Sequence, residues 1–158
     1  MFGIQAALRA PQAEIVAQDW PNVLQVGEAN AHAAGVADRY RLLPGDAFAV
    51  DFGSGYDAVL VTNFLHHFDE QTCATLLQKI AGCLNPNGKL LTLGFVPNDD
   101  RVSPPIPAMF SMMMLGATGA GDAYTLKQYE RMLGEAGFTQ NELRQVPNSP
   151  EQLIISAK

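Results

Sequence analysis

Clustered positive charge is missing from this sequence: ten Lys and Arg are scattered among sixteen Asp and Glu, for a formal net charge of −6. Nucleic-acid binding needs concentrated cations to neutralise phosphate, so the charge balance argues against that class of partner. Cysteine is scarce as well. Cys73 and Cys83 fall on different faces of an expected helix, a spacing that suits neither a zinc site nor a disulfide framework. Both are expected to pack structurally, in keeping with a reducing cytoplasm, and no metal is expected. No apolar run reaches membrane-spanning length and the N-terminus lacks a signal-peptide layout, which argues against a membrane partner. Charged residues make up only 16% of the chain while hydrophobic ones make up 47%. At 158 residues that composition fits a single domain with a real core.

What is present is an alternation of helical and extended patterns. Helical spacing at Phe2, Ala6 and Leu8, with Ile4 nearby, predicts a first helix that Pro11 ends. A short buried strand is expected at Ile15 to Ala17, stopping at Asp19. Pro21 then suits the first turn of a helix running to Gly35. A strand around Tyr40 to Leu43 is closed by Pro44 and Gly45. Val59, Leu60 and Val61 form a continuous apolar run, the pattern of a strand covered on both faces. The next helix, roughly Glu70 to Leu84, carries a one-face stripe at Cys73, Leu76, Leu77, Ile80 and Leu84. "NPNG" ends it, with a glycine suited to positive φ, and "KLLTLGFV" follows as a buried strand. A short helix is expected around Met109 to Leu115 in a stretch rich in Pro, Gly and Met. A capping box, Thr125 with Gln128, opens another helix that Gly137 terminates. Strands near Leu143 to Val146 and Gln152 to Ser156 read as an antiparallel pair.

Buried strands alternating with helices predict an α/β fold, a mostly parallel sheet with helices on both faces. Ligands of such sheets bind at the carboxyl ends of the strands. That rule selects Asp19 and Trp20, then Asp46 to Phe48, Asn63 to His67, and the residues from Gly94 onward. Two of the chain's three histidines, His66 and His67, stand side by side in that set.

In this order, "IVAQDWP", "LLPGDAF", "TNFLHHF", "LNPNGKLL" and "YERMLGEAGF" resemble the class I methyltransferases that use S-adenosylmethionine, especially the small-molecule O-methyltransferases. The resemblance covers essentially the whole chain and implies a Rossmann-like sheet with a terminal antiparallel hairpin. It also implies transfer of a methyl group to a hydroxyl of a small, aromatic acceptor. By the same resemblance Asp19 accepts hydrogen bonds from the ribose hydroxyls, against the alternative that it caps the next helix. Asp46 faces the adenine amino group, with Ala47 and Phe48 walling the base; the alternative is a solvated turn. Trp20 adds an apolar wall or packs in the core, and Asn63 falls at the cofactor's strand end. His66 corresponds to the family's general base, and a hydrogen-bonded turn histidine is its bland alternative. His67 is expected to face solvent or the helix start, and His32 to lie on the surface. Met109 and Met112 to Met114 would either line an acceptor pocket or pack a helix.

Two departures mark the chain. Where many relatives place a glutamate to steer the histidine, it has Gly94. The first strand and its glycine-rich loop should precede Met1, so the chain is expected to be the C-terminal part of a methyltransferase domain, residues 1–158. "VDFGSG" is followed by a strand rather than a helix, and "GAGD" at 119–122 has no strand before it, so neither is read as that loop. The rival readings are a non-catalytic remnant with weak or no cofactor binding, and a nucleotide-binding dehydrogenase without a glycine fingerprint. Losing a central strand predicts open edges near Ile15, Val16, Leu60 and Val61, with self-association through them.

Overall fold

Pro11 follows the end of α1 (Phe2–Arg9), and Pro21 occupies the first turn of α2 (Pro21–Ala33), where its missing N–H costs no hydrogen bond. The computed structural model describes residues 1–158 and divides into two units, 1–52 and 53–158. In the first, β1 (Ile15–Asp19) and β2 (Tyr40–Pro44) form a two-stranded parallel sheet, with Ile15 opposite Tyr40 and Asp19 opposite Pro44. A 3₁₀ turn at Ala37–Arg39 leads into β2. From it the Arg39 guanidinium donates to the carbonyls of Ala7 at 3.2 Å and Ala13 at 2.8 Å. The first of these closes an acceptor that the end of α1 leaves open.

The α1 stripe differs from the expected one. Ile4 and Ala7, three residues apart on one face, are buried with Ala31 and Val36, while Phe2 and Leu8 are about half exposed. The cause is close packing of helix on strand: a Cβ at Gly3 would lie 2.9 Å from Ile15 Cγ2. Strand β1 is also less buried than expected. Ile15 packs on that core, but Val16 points to the opposite side and is 37% exposed. Trp20 is 56% exposed, which removes core packing as its role. His32 is exposed, as expected.

The second unit comprises β3 (Tyr56–Thr62), a 3₁₀ turn (Leu65–His67), α3 (Glu70–Cys83), β4 (Leu84–Gly94), α4 (Pro105–Thr118), α5 (Leu126–Glu135), β5 (Gln140–Gln145) and β6 (Gln152–Ala157). Its sheet runs β3-β4-β6-β5; β3 and β4 are parallel, and β6 is antiparallel to both β4 and β5. Asp69 caps α3 by accepting the Thr72 N–H at 2.8 Å, and the Thr125–Gln128 capping box opens α5 as expected. The α3 stripe of Cys73, Leu76, Leu77 and Ile80 is buried, as are Tyr129, Met132 and Leu133 of α5 and Leu90, Thr92 and Ile154 of the sheet. Both cysteines are free and buried.

Three expectations change here. Leu60 is 43% exposed although Val61 is buried, so the β3 run is covered on one face only. Gly88 does not have a positive φ. It is needed for room instead, since a Cβ there would lie 2.9 Å from the Tyr56 carbonyl oxygen, beside the register shift between β3 and β4. Helix α4 spans Pro105–Thr118 rather than Met109 to Leu115, and only Pro107 in it is buried. Strand β1 is laddered only to β2 and β3 only to β4, so each has an open edge, as the missing-strand reading expects.

Candidate active site

In the 1–52 unit the sequence-selected residues meet at the carboxyl ends of β1 and β2. The Gly45 N–H donates to the Asp19 carbonyl at 3.0 Å, which sets the turn carrying Asp46 beside Asp19. The Asp19 carboxylate is exposed, and its one protein partner is the Trp20 N–H at 2.8 Å. Helix α2 is capped at Trp20 with no side-chain bond, so Asp19 is not its cap. Asp46 accepts the Phe48 N–H at 2.9 Å, while Ala47 and Phe48 are half-buried. Both carboxylates keep lone pairs free, and Trp20 offers an exposed aromatic face. That donor-accepting set fits the hydroxyls and amino group of a nucleoside.

In the 53–158 unit the chain turns sharply after β3 at Asn63, whose φ is +52°. Asn tolerates that left-handed conformation better than most residues. Asn63 Nδ2 donates to Glu151 Oε1 at 2.6 Å, and its Oδ1 is buried without a partner. The 3₁₀ turn then buries His66 and leaves His67 exposed. Burial, and secondarily the neighbouring His67, lower the His66 imidazole to about 4. A desolvated ring resists taking a charge, so His66 is neutral at physiological pH, with one ring nitrogen an unprotonated acceptor. Its ring meets Phe110 of α4 edge-on at 4.8 Å, and Phe110 in turn lies 4.2 Å from Phe95. His67 folds back on the turn, its Nδ1 3.0 Å from the Phe64 carbonyl.

Gly94 brings no carboxylate to this place; a Cβ there would come nearest the Tyr129 hydroxyl, at 3.8 Å. Met109, Met112 and Met113 are 62, 76 and 58% exposed and Met114 is partly buried, so these residues do not pack as a helix core within this unit. Sequence reasoning missed the residues that grip the histidine turn. Cys73 Sγ donates to the Leu65 carbonyl at 3.1 Å, the Asp122 N–H donates to the His66 carbonyl at 3.1 Å, and the Tyr124 hydroxyl donates to the Phe68 carbonyl. Asp122 is itself held by both 2.7 Å contacts to Arg101 Nη2 and by the Ser111 hydroxyl. The signal available was "GAGD", whose glycines mark a close approach. No cluster of three or more His, Cys, Asp or Glu side chains is placed to hold a metal ion, and no helix is long and apolar enough to cross a membrane.

The mixed α/β topology, with its parallel strands and terminal antiparallel hairpin, is that of the Rossmann-like methyltransferases. Residues 4–139 match the model of the O-methyltransferase domain, and the chain belongs to that family. A solved Nostoc punctiforme protein assigned as an O-methyltransferase is 48% identical with a TM-score of 0.97, covering 99% of this chain and 48% of the other. An O-methyltransferase family 2 protein of Planctomyces limnophilus, solved in complex with apigenin, is 29% identical with a TM-score of 0.88, over 98% of this chain and 46% of its own. The 3-hydroxy-5-methyl-1-naphthoate 3-O-methyltransferase of Streptomyces sahachiroi is 33% identical over 77% of this chain and 35% of its own length. The chain thus spans less than half the length of these relatives.

Proposed function

We propose that this chain is the cofactor-binding and catalytic part of an S-adenosylmethionine-dependent O-methyltransferase acting on a hydroxyl of a small aromatic acceptor. The observation that carries the reading is His66: a buried, neutral imidazole held in a gripped turn at the carboxyl end of β3, within a chain of this family. The naphthoate and apigenin relatives supply the acceptor class. S-adenosylmethionine, when bound, supplies an electrophilic sulfonium methyl. Asp19 would accept the ribose hydroxyls and Asp46 the adenine amino group, with Ala47 and Phe48 beside the base and Trp20 as a further aromatic wall. Within the 53–158 unit, the Oδ1 of Asn63 is an acceptor left without a protein partner.

His66 acts on the acceptor. A phenol with a pKa near ~10 is mostly protonated at neutral pH, so its oxygen is a poor nucleophile until the proton leaves. An imidazole nitrogen of His66 would take that proton as the acceptor oxygen receives the methyl group. The desolvation that keeps His66 neutral also makes the imidazolium costly. A second reading, a fold that binds cofactor without transferring the methyl, draws on one observation: neither ring nitrogen of His66 hydrogen-bonds to a group that would steady the charge.

Methyl transfer to a panel of hydroxylated naphthoates and flavones tests both. His66→Ala is expected to lower turnover by roughly 10²–10⁴-fold, with His67→Ala doing far less. Equal losses at both positions would overturn the base assignment. Cofactor binding with no transfer to any acceptor would select the second reading.

A further inference from the structure

We propose that the segment Gly119 to Tyr124 is a positioning element that seats the turn carrying His66, with Gly121 as its point of contact. The inference rests on the proposed role of His66 only for its catalytic consequence. A three-residue 3₁₀ turn closes few of its own bonds: the Phe68 N–H donates to the Leu65 carbonyl at 3.1 Å, but the His66 carbonyl must find its donor elsewhere. This segment supplies a donor to each of His66 and Phe68: the Asp122 N–H to the first, at 3.1 Å, and the Tyr124 hydroxyl to the second, which Cys73 Sγ also approaches at 3.8 Å. Cys73 Sγ of α3 is a second donor to the Leu65 carbonyl, at 3.1 Å.

The fit depends on a missing side chain. A Cβ at Gly121 would overlap the His66 carbonyl oxygen and lie 2.6 Å from Thr118 Oγ1 and 3.0 Å from the His67 carbonyl carbon. Two of these are backbone of the turn itself, which yields only by moving. Gly121 is not needed for a left-handed φ, whereas Gly119, at +75°, ends α4 in that conformation. The segment is anchored on both sides of the contact. Thr118 Oγ1 accepts the Gly121 N–H and donates to the Met114 carbonyl, both at 2.7 Å. Beyond it, Arg101 takes both oxygens of Asp122 while Arg101 Nη1 reaches Gln128 Oε1 at 3.2 Å. Arg101 holds a φ of +58° to do so. Such a network sustains that strain. The loop after β4, α4 and the start of α5 therefore converge on the backbone of the histidine turn. The Asp122 carboxylate is spent on Arg101 and Ser111, so its contribution to His66 is placement rather than charge.

The test is a histidine titration by NMR of the whole chain, with His32, His66 and His67 assigned from single His→Gln variants. The titratable groups beside the ring or bonded to its turn are His67, Cys73 with Asp69 near it, Asp122 and Tyr124, and Gly121→Ala replaces none of them. Gly121→Ala is expected to raise the His66 midpoint by about 1 pH unit or more, as the displaced turn admits water, leaving His32 in place. Tyr124→Phe removes one donor without adding bulk and is expected to shift His66 the same way by less. A folded Gly121→Ala protein with His66 unmoved overturns the proposal. Should that variant not fold, an unmoved His66 in Tyr124→Phe overturns it. Turnover separates the two claims. Gly121→Ala is expected to lower kcat by about 10²-fold at unchanged cofactor affinity, the effect of a small misplacement. Loss of the shift condemns the positioning role, whereas a His66→Ala enzyme of full activity condemns the functional reading and leaves the titration result standing.

Discussion

The 1–52 unit closes its core with Ile4, Ala7, Ala31 and Val36, whereas the 53–158 unit fully buries Phe138, Leu76, Leu77, Leu90, Met132 and Leu133. One rests on a two-stranded sheet, the other on four strands. Two strands alone are at best marginal in water, and small side chains bury little apolar area. The carboxylates assigned to the nucleoside thus sit on the less secured scaffold, and the histidine assigned to the chemistry on the firmer one. Binding to a loosely held element draws on part of its own affinity to order that element. A base has no such allowance, because its placement must hold before the acceptor arrives.

Phe138→Ala offers the largest break in this contrast. It should cost the 53–158 unit about 3–5 kcal/mol, the usual range for a fully buried Phe. In native-state hydrogen exchange the loss should appear at β4 and β6 and leave Ile15 to Ala17 unchanged. Equal loss in both units would mean that they unfold together.

Acid supplies the next test. The folded pKa of His66, about 4, lies below the ordinary value of 6.5, so between these values the unfolded chain binds the proton more tightly. The stability tied to a neutral His66 is therefore complete above about pH 6.5 and is lost as the pH falls toward 4, on the order of 2–3 kcal/mol. Denaturant midpoints across that window should flatten in His66→Phe, and the change should be read in the 53–158 unit. An unchanged slope would place the buried proton elsewhere.

Asp19→Asn is expected to weaken S-adenosylhomocysteine binding by about 10-fold, the loss of charge-assisted acceptors at an exposed site, with no change at β4. Calorimetry checks the first and exchange the second. Smallest is Thr125→Ala, which removes the capping box of α5 and should cost about 1 kcal/mol by thermal denaturation.

Local signals in the sequence were enough for much of this. The α3 stripe, the Thr125 cap, the proline at the start of α2 and the acids closing β1 and β2 each depend on neighbours within a few residues. Burial was less legible. Val16 and Leu60 belong to apolar runs that read as doubly covered, but coverage depends on which elements pack above them, and that is set by distant chain. Gly88 shows the same limit at one residue, since its glycine answers to Tyr56 across a strand pair and not to its own turn. At the site, the strand-end rule reached Asn63 to His67 and only the family resemblance singled out His66, while the contacts of Cys73, Asp122 and Tyr124 with the turn had no local signal. Their contact with the turn joins segments up to 56 residues apart.

Strand β6 lies between β4 and β5, although both precede it in the chain. As the polypeptide leaves the ribosome, Gln140–Gln145 emerges with no ladder to join, because its only neighbour, Gln152–Ala157, has yet to be made. The four-stranded sheet can close only after nearly all of these residues have been synthesised, and the pairing it waits for is non-local and slow to form. Residues 1–52 face no such delay. A nascent chain arrested before Gln152 would therefore expose the edges of β4 and β5 together, and that is the form for which a chaperone would have most use.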